Sequence, residues 1–331
     1  MVSHLCFRYQ ALRSEFRVKY LDRALLAAVT LWCWIRYLPI TLRTLRRTHR
    51  LPCAGLPVTG NDKFFWRKIF DHDPRFTIVS DKLACKEWVA ARVPGLSIAS
   101  VLWKGADPRG IPDTLLRRNA VFKANHGCGT NHLIHQGHCD RGYIEQLGFQ
   151  WMSQTHGRRH HEWGYFGIPR QLFLEEMIAP NTGGPDELKI YTFGSRVVRL
   201  IHISGRFRDM RANVWNFDPS GEPIRSVERA AVAPPSPTQP LPPSIDDALT
   251  IARKLGQEFD HVRVDLLWDS ERLWFGELTL YNQAGHFPGR LGTHKDSPLT
   301  QHWTVLDSSF FQRELSGWRH WYRHALQRQH T

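Results

Sequence analysis

The sequence predicts an α+β protein carrying a helical N-terminal extension, and three observations predict it. Short β-branched or aromatic segments recur from Ala120 to Tyr281, apolar residues at helical intervals precede and interrupt them, and a basic, apolar segment over residues 1–55 stands ahead of both. At 331 residues the chain is long enough for two cores, or for one large mixed domain with an appended element. Hydrophobic residues at 42% and charged residues at 23% are ordinary for folded chains and disfavour bulk disorder, collagen-like repeats and multi-span membrane classes. The balance of 44 Lys+Arg against 31 Asp+Glu, +13 with the 18 His neutral, implies an acidic partner. Nucleic acid, an anionic membrane surface, an acidic polysaccharide and a nucleotide all meet that requirement. Part of the excess lies near the ends, in Arg36 to Arg50 and Arg313 to Arg328. Cys6, Cys33, Cys53, Cys85, Cys128 and Cys139 form no CxxC pair and no metal-ligand spacing, which reads as reduced thiols in a cytoplasmic protein. His156, His160 and His161 have no Cys or carboxylate at zinc spacing and read as solvated loop.

The elements follow in order. Ala24 to Ile35 is an apolar run flanked by Arg17, Lys19, Arg23 and Arg36. It holds about twelve residues where a spanning helix needs ~20. Trp32, Trp34, Tyr37 and Leu38 stand where a signal peptide would place small residues. Two readings fit: a docking helix whose apolar side packs on the domain, and an interfacial helix over residues 20–50. The second sets Trp and Tyr at headgroup depth and Arg43, Arg46, Arg47 and Arg50 on anionic lipid, at the inner face of a membrane. A helix-like region runs from Asn61 to Phe70 and is broken by Asp71-His72-Asp73-Pro74. A second helix starts at Ser80 or Asp81 and stops at Pro94-Gly95, followed by one strand from Ser97 to Trp103. Further strands are expected at Ala120 to Ala124, Asn131 to His135, Gln171 to Ile178, Lys189 to Phe193 and Val197 to Ser204. The Pro-rich stretch Ala230 to Pro243 reads as an extended surface connection, and Ser244 to Asp247 as a capping box opening a helix. Strands His261 to Trp268 and Arg272 to Tyr281 close the core, and the tail from Phe310 is a basic, Trp-rich helix.

Four constellations carry chemistry. The first, Ala120 to Thr130, is a strand bearing Lys123 followed by a loop with Gly127 and Gly129. Such glycines let backbone N–H groups converge on phosphoryl oxygens, and a lysine on the strand supplies a compact positive charge. No Gly-Lys-Ser/Thr follows, so this is not a P-loop, and a plain hairpin with a buried-stem lysine competes with it. The second pairs Val262 to Leu267 with Trp274 to Thr279, two apolar strands holding Arg263, Asp265, Glu277 and Thr279. A carboxylate in a sheet core needs a partner. Paired through a three-residue loop centred on Glu271, the strands set Asp265 opposite Glu277, with Arg263 and Thr279 on the same face. Facing carboxylates make a magnesium site, and a buried ion pair with Arg263 is the competing reading. The third, Leu172 to Ile178, carries Glu175 and Glu176 just before a turn at Pro180 to Gly184, where a strand edge can hydrogen-bond adenine. In the fourth, Lys189 sits in an apolar strand, and Arg206, Arg208, Arg211 and Asn213 occupy a polar loop suited to phosphoryl transfer, or simply solvated.

Taken in order, these elements resemble the TupA-like branch of the ATP-grasp superfamily, named for a protein of teichuronopeptide synthesis. The resemblance begins near Asn61, passes Asp71-His72-Asp73-Pro74 and Asp81-Lys82, and runs through Phe122 to Gly129, Leu174 to Ile178 and Leu188-Lys189. It closes with Val262 to Asp265 and Gly276 to Thr279. It implies an ATP-grasp fold in which two α+β subdomains grip ATP. Lys123 would lie on the phosphates under the Gly127 to Thr130 loop, with Lys82, His126 and Lys189 in the same ATP-binding set and Glu175, Glu176 and Ile178 at the adenine. Asp265, Glu277 and Thr279 would hold Mg2+; the wider superfamily usually has Asn at the position of Thr279, a threonine that TupA-like chains share. Arg206, Arg211 and Arg263 are the candidates for stabilising transition-state charge.

The implied organisation is a helical extension over residues 1–55, a catalytic domain over 56–300 and a basic C-terminal helix over 301–331. Within the domain, 56–118 form an N-terminal part, 119–180 an ATP-binding lid and 181–300 the core subdomain. The implied activity is a carboxylate–amine ligase working through an acyl phosphate, in cell-surface polysaccharide or peptidyl-glycan modification. Its partners are then ATP, a carboxylate, an amine and an anionic glycan, with no nucleic acid. A glycosyltransferase and an ATP-grasp kinase acting on a hydroxyl are the alternatives. A nucleic-acid-binding module would share the +13 charge but gives Asp265 and Glu277 no purpose.

Overall fold

Two helices come first, α1 (Val2–Arg36) and α2 (Leu38–Thr48). In the computed structural model residues 2–135, 138–179, 183–218, 220–287 and 289–330 are described, with side chains from Val18 to Gln329. The next three helices start where short acceptors cap them. Thr59 and Asp62 form a reciprocal capping box for α3 (Gly60–Phe70), Asp73 caps α4 (Pro74–Ser80), and Asp81 accepts from the amides of Leu83 and Ala84 to open α5 (Lys82–Arg92). Strands β1 (Ser97–Ile98) and β2 (Val101–Gly105) follow, then α6 (Asp113–Leu116), β3 (Ala120–Ala124), β4 (Asn131–Ile134), α7 (Arg141–Ser153) and β5 (Leu172–Glu176). A meander of β6 (Asp186–Phe193), β7 (Arg196–Ser204), β8 (Arg211–Phe217) and β9 (Pro223–Arg225) leads through the Pro-rich stretch to α8 (Ile245–Gly256). Strands β10 (Val262–Trp268) and β11 (Leu273–Thr279) are followed by α9 (Arg290–Thr293), α10 (Pro298–Gln301), α11 (Ser309–Gln312) and α12 (Trp318–His330).

The residues form two units, one of Met1–His72 with Gln283–Thr331, the other of Asp73–Asn282. The first is helical. Leu26, Val29 and Cys33 of α1 recur at helical spacing and pack with Trp66, Ile69 and Phe70 of α3 and with Tyr322, Ala325 and Leu326 of α12. The Tyr322 hydroxyl accepts from Trp66 Nε1 at 3.1 Å and donates to the Ala54 carbonyl at 2.7 Å. The extension and the C-terminal helix, expected as separate appendages bounded at 55 and 300, therefore share one core with α3. Their apolar stripes are complementary, and neither is buried without the other. One side of α1 is docked, as the first of the two readings expected; its other side is exposed.

The second unit holds both sheets. Seven strands run in the order β1-β11-β10-β6-β7-β8-β9, with only β1 and β11 parallel, and four run β2-β5-β3-β4. Alternation decides which side chains meet the core. Val262, Val264 and Leu266 of β10 and Leu188 and Ile190 of β6 pack under α4, α5 and α8, which leaves Arg263, Asp265 and Lys189 on the opposite face. In the smaller sheet Ala120, Phe122, Ala124, Leu172 and Leu174 pack against Ile144 and Trp151 of α7, which leaves Val121, Lys123, Phe173 and Glu175 on the other side.

Four expectations are corrected. Ser97 to Trp103 is two strands in different sheets, because the backbone at Ala99 and Ser100 is diverted: Lys86 Nζ donates to Ala99 O at 2.8 Å, and Ser100 N donates to Glu176 Oε1 at 2.8 Å. Ser244 makes no side-chain cap, so the capping box of α8 does not form. Arg211 and Asn213 lie on strand β8, paired with β7, and not in a loop. The β10–β11 connection is four residues, Asp269 to Arg272, with Asp269 Oδ1 accepting from the amides of Glu271 and Arg272. Part of the expected turn at Pro180 to Gly184, residues 180–182, lies outside the described residues. Cys33, Cys53, Cys85, Cys128 and Cys139 are free thiols.

Candidate active site

Asp265 and Glu277 are direct partners across β10 and β11, as are Arg263 and Thr279. The four-residue turn alone would misalign them by one residue. A bulge at Gly276 adds the missing residue, moving the pairing from Leu266–Phe275 to Asp265–Glu277 and carrying Glu277 and Thr279 to the face of Asp265. A Cβ at Gly276 would stand 2.8 Å from Asp265 O, so only glycine fits the bulge without displacing β10.

On that face the carboxylates do not confront each other across open space. The Arg263 guanidinium binds Asp265 through two bonds of 2.6 Å, its Nη2 reaching Thr279 Oγ1 at 3.0 Å and Glu277 Oε1 at 3.3 Å. The ion-pair reading describes these contacts: Arg263, expected on this face, lies between the two carboxylates. Three oxygens from Asp265, Glu277 and Thr279 nonetheless converge on one cationic point. Burial pushes the Asp265 carboxyl up, but Arg263 and Lys189 outweigh it and hold the group below the usual carboxylate range. Burial opposes the charge on Arg263, and Asp265 more than restores it. Glu277 is 48% exposed at its side chain, against 6% for Asp265. Among the described residues no group of three or more His, Cys, Asp and Glu is gathered for a metal.

Lys189 extends this cluster, at 3.2 Å from Asp265 Oδ2 and 3.1 Å from Glu187 Oε2, and Arg206 pairs with Glu187. Arg211 bonds Asp209 at 2.7 Å and has no described contact with the cluster, so the structure does not gather the three expected arginines together.

The smaller sheet supplies a second cluster. Lys123 pairs with one oxygen of Glu175, and Lys86 takes the other at 2.8 Å. Burial raises the Glu175 carboxyl, and the two lysines reverse this to hold it low. Both its oxygens are engaged by lysines. Glu176 Oε1 is bonded to Ser100 N, but Glu176 and Ile178 line a cavity of about 230 Å³ with Lys123, Glu175, Phe207 and Leu267. That cavity draws its wall from both sheets.

In the loop after β3, Gly129 has φ +74° and open space beside it, whereas Gly127 shows no positive φ. Lys82 reaches the loop from α5, donating to Ala124 O at 3.0 Å and to Gly127 O. Burial lowers its pKa, and the charges of Glu277 in the large sheet and Glu175 in the small one pull it back. The His126 ring is buried, with Nδ1 on Asn125 Oδ1 at 3.2 Å and Nε2 on Trp151 O at 3.1 Å.

Lys86, Glu187 and Asn125 were not singled out from the sequence. Lys86 follows Lys82 by four residues and Glu187 precedes Lys189 by two, so helical and strand periods both held the signal. Asn125 carried none. Its amide nitrogen donates to Asp81 Oδ1 at 3.0 Å and Pro169 O at 2.9 Å, and its oxygen accepts from Gln171 N at 2.8 Å, knotting together segments remote in sequence.

A four-stranded and a seven-stranded sheet combined with helices form an ATP-grasp fold. Within that class the chain belongs to the TupA-like ATPgrasp family, whose model matches residues 62–292. No curated protein matches the chain in sequence. Among solved structures it is similar to the ATP-grasp ligase PsnB complexed with a phosphomimetic variant of a minimal precursor, Mg and ADP, at 13% identity and a TM-score of 0.37. That match covers 68% of this chain and 58% of PsnB, so the chain spans less than two thirds of that ligase. It is also similar to a D-alanine–D-alanine ligase from Bacillus anthracis (14% identity, TM-score 0.39, covering 76% of this chain and 68% of that one). A third is the macrocyclase MdnC from Microcystis aeruginosa MRC (16% identity, TM-score 0.36, 72% and 63% covered).

Proposed function

We propose that this chain is an ATP-dependent ligase that joins a carboxylate to an amine through an acyl phosphate. The observation that carries the reading is a mostly apolar cavity walled by Lys123 and Glu175 of the smaller sheet and by Leu267 of β10, the strand that also bears Arg263 and Asp265. The cavity is of a size for a nucleobase, with Ile178 and Leu267 on its walls. Lys123, Lys82 and Lys189 would meet the phosphates as fixed cations, Lys123 being positioned by Glu175, which Lys86 in turn holds. Asp265, Glu277 and Thr279 present hard oxygens around Arg263 Nη2, a donor set that fits Mg2+ and would hold it, while Arg263 would offset charge on the transferring phosphoryl group. When bound, that ion would offset the charge of the phosphate oxygens.

The chain's residues then position and neutralise. A substrate carboxylate oxygen attacks the γ-phosphorus of ATP and the bond to ADP breaks, giving an acyl phosphate. The amine nitrogen attacks the acyl carbon, phosphate leaves, and the nitrogen loses a proton to form the amide. Arg263 and Arg206 would meet the negative charge that develops, whereas Arg211, the third candidate, is bonded to Asp209. An acceptor on an anionic cell-surface glycan or peptidyl-glycan accords with the +13 charge.

Purified chain with ATP, Mg2+ and a panel of carboxylates and amines, followed by phosphate release and product mass, tests the proposal. Amide with ADP and phosphate supports it. A phosphorylated hydroxyl acceptor would replace it with a kinase, and failure to bind ATP would end it.

A further inference from the structure

Helix α1 is apolar on two sides. The side that carries Leu26, Val29 and Cys33 is buried against α3 and α12. The other carries Leu21, Ala24, Ala28, Leu31 and Ile35 at intervals of three and four, all exposed, with Leu31 at 55% and Ile35 at 70%. Leu38 and Leu42 of α2 are also exposed, and Trp32 stands 6.2 Å from Trp318 of α12, beyond which Trp321 is 63% exposed. Apolar residues scattered singly over a surface need no explanation, but a continuous stripe does.

The charges around the stripe say what covers it. Residues 18–50 hold seven Lys and Arg and a single acid, Asp22. Asp22 is buried and bonded twice to Arg328 at 2.7 Å, so no carboxylate of the segment reaches the surface. Arg23, Arg36, Arg46, Arg47 and Arg50 are exposed. Among the described residues no single helix is long and apolar enough to cross a membrane, and the pair formed by residues 18–36 and 38–48 bends by 99°. With one stripe of α1 already buried in protein, the segment is built to lie on a surface.

We infer that the exposed side of α1 and α2, with Trp32, Trp318 and Trp321, docks on the surface of an anionic phospholipid bilayer. The leucines and Ile35 enter the acyl boundary, the indoles lie at headgroup depth, and the arginines meet the lipid phosphates. This docking is independent of the catalytic reading, since every residue in it belongs to the helical unit.

Co-sedimentation of the full chain with vesicles of phosphatidylcholine alone, or mixed with phosphatidylglycerol, tests it. The chain is expected to sediment with the mixed vesicles, weakly with the neutral ones, and less as salt rises. A Leu31→Ser, Ile35→Ser, Leu38→Ser variant and an Arg46→Glu, Arg47→Glu variant should each lose binding on the order of tenfold or more. All five positions are exposed, so the circular dichroism melting curve should not move. Wild-type chain that ignores anionic vesicles overturns the inference, as does unchanged binding in both variants. So would a dimer that the triple-serine variant converts to monomer without any vesicle binding, which would make the stripe a contact between copies.

Discussion

The two 2.6 Å bonds from Arg263 to Asp265 lie on a sheet face that Lys189 shares, and Arg206 reaches Glu187 beside it. Replacing Asp265 with Asn would strand Arg263 and Lys189 beside a neutral amide, and breaking a buried pair from one side costs about 3 kcal/mol or more. Lost activity in that variant would therefore mix stability with chemistry. Glu277 is half exposed, and Glu277→Gln separates them: ATP turnover should fall by about a hundredfold while the urea midpoint stays within error. Wild-type turnover in that variant would remove Glu277 from the machinery. Lys63 offers a test with a defined sign. Its ammonium donates to Leu299 O and Thr300 O, and burial lowers its pKa to about 8, with Asp62 pulling the other way. A folded-state value below the unfolded one means that folding releases the proton, so stability rises between pH 8 and about 10.5, at roughly 1.4 kcal/mol per pH unit. Urea midpoints should climb over that window in the wild type relative to Lys63→Met; parallel curves would show the lysine staying charged. At this scale the sequence revealed charged residues inside apolar strands, and the period of two told which shared a face. It could not tell whether Asp265 and Glu277 meet a metal or Arg263, because both satisfy the same demand for positive charge.

Among the elements, the β10–β11 pair shows how a correct register can follow from an incorrect turn. The sequence pattern pointed to a three-residue loop and placed Asp265 opposite Glu277; the chain uses four residues and recovers the alignment through the bulge at Gly276. Because a Cβ there would press on Asp265 O, Gly276→Ala should cost about 1–3 kcal/mol, and it should reduce ATP turnover further than that loss explains by rotating Glu277 off the shared face. Turnover at the wild-type level in the folded variant would show the bulge to be incidental. The break at Ala99 and Ser100 is of the same kind. Seven residues of uniform strand character are divided between two sheets by Lys86 and Glu176, side chains thirteen or more positions away. Local pattern carries no trace of such a partner.

Over the whole molecule, the segment before Leu51 and the tail after Phe310 read as appendages, and instead they close a core around Trp66. Ending the chain before Trp318 would remove Tyr322, Ala325 and Leu326, each fully buried, and leave Ala54 O without its donor. Burial of one large apolar side chain is worth about 1.5–3 kcal/mol. The shortened chain should thus lose several kcal/mol in denaturant melts, and an unchanged melt would restore the appended-helix view. Helices α5 and α8, strands β3 to β7, β10 and β11, and the charged residues within those strands were legible in the sequence alone, whereas α4, α6, α7, β8 and β9 were not. Period, caps and the cost of burying an unpaired charge are local properties, legible one segment at a time. Which segments share a core, which cation meets which acid, and that His126 turns inward while Lys86 turns toward Glu175 were decided only by the tertiary structure. Each of these depends on residues far apart in the chain competing for the same neighbours, a contest that becomes defined once the backbone has folded.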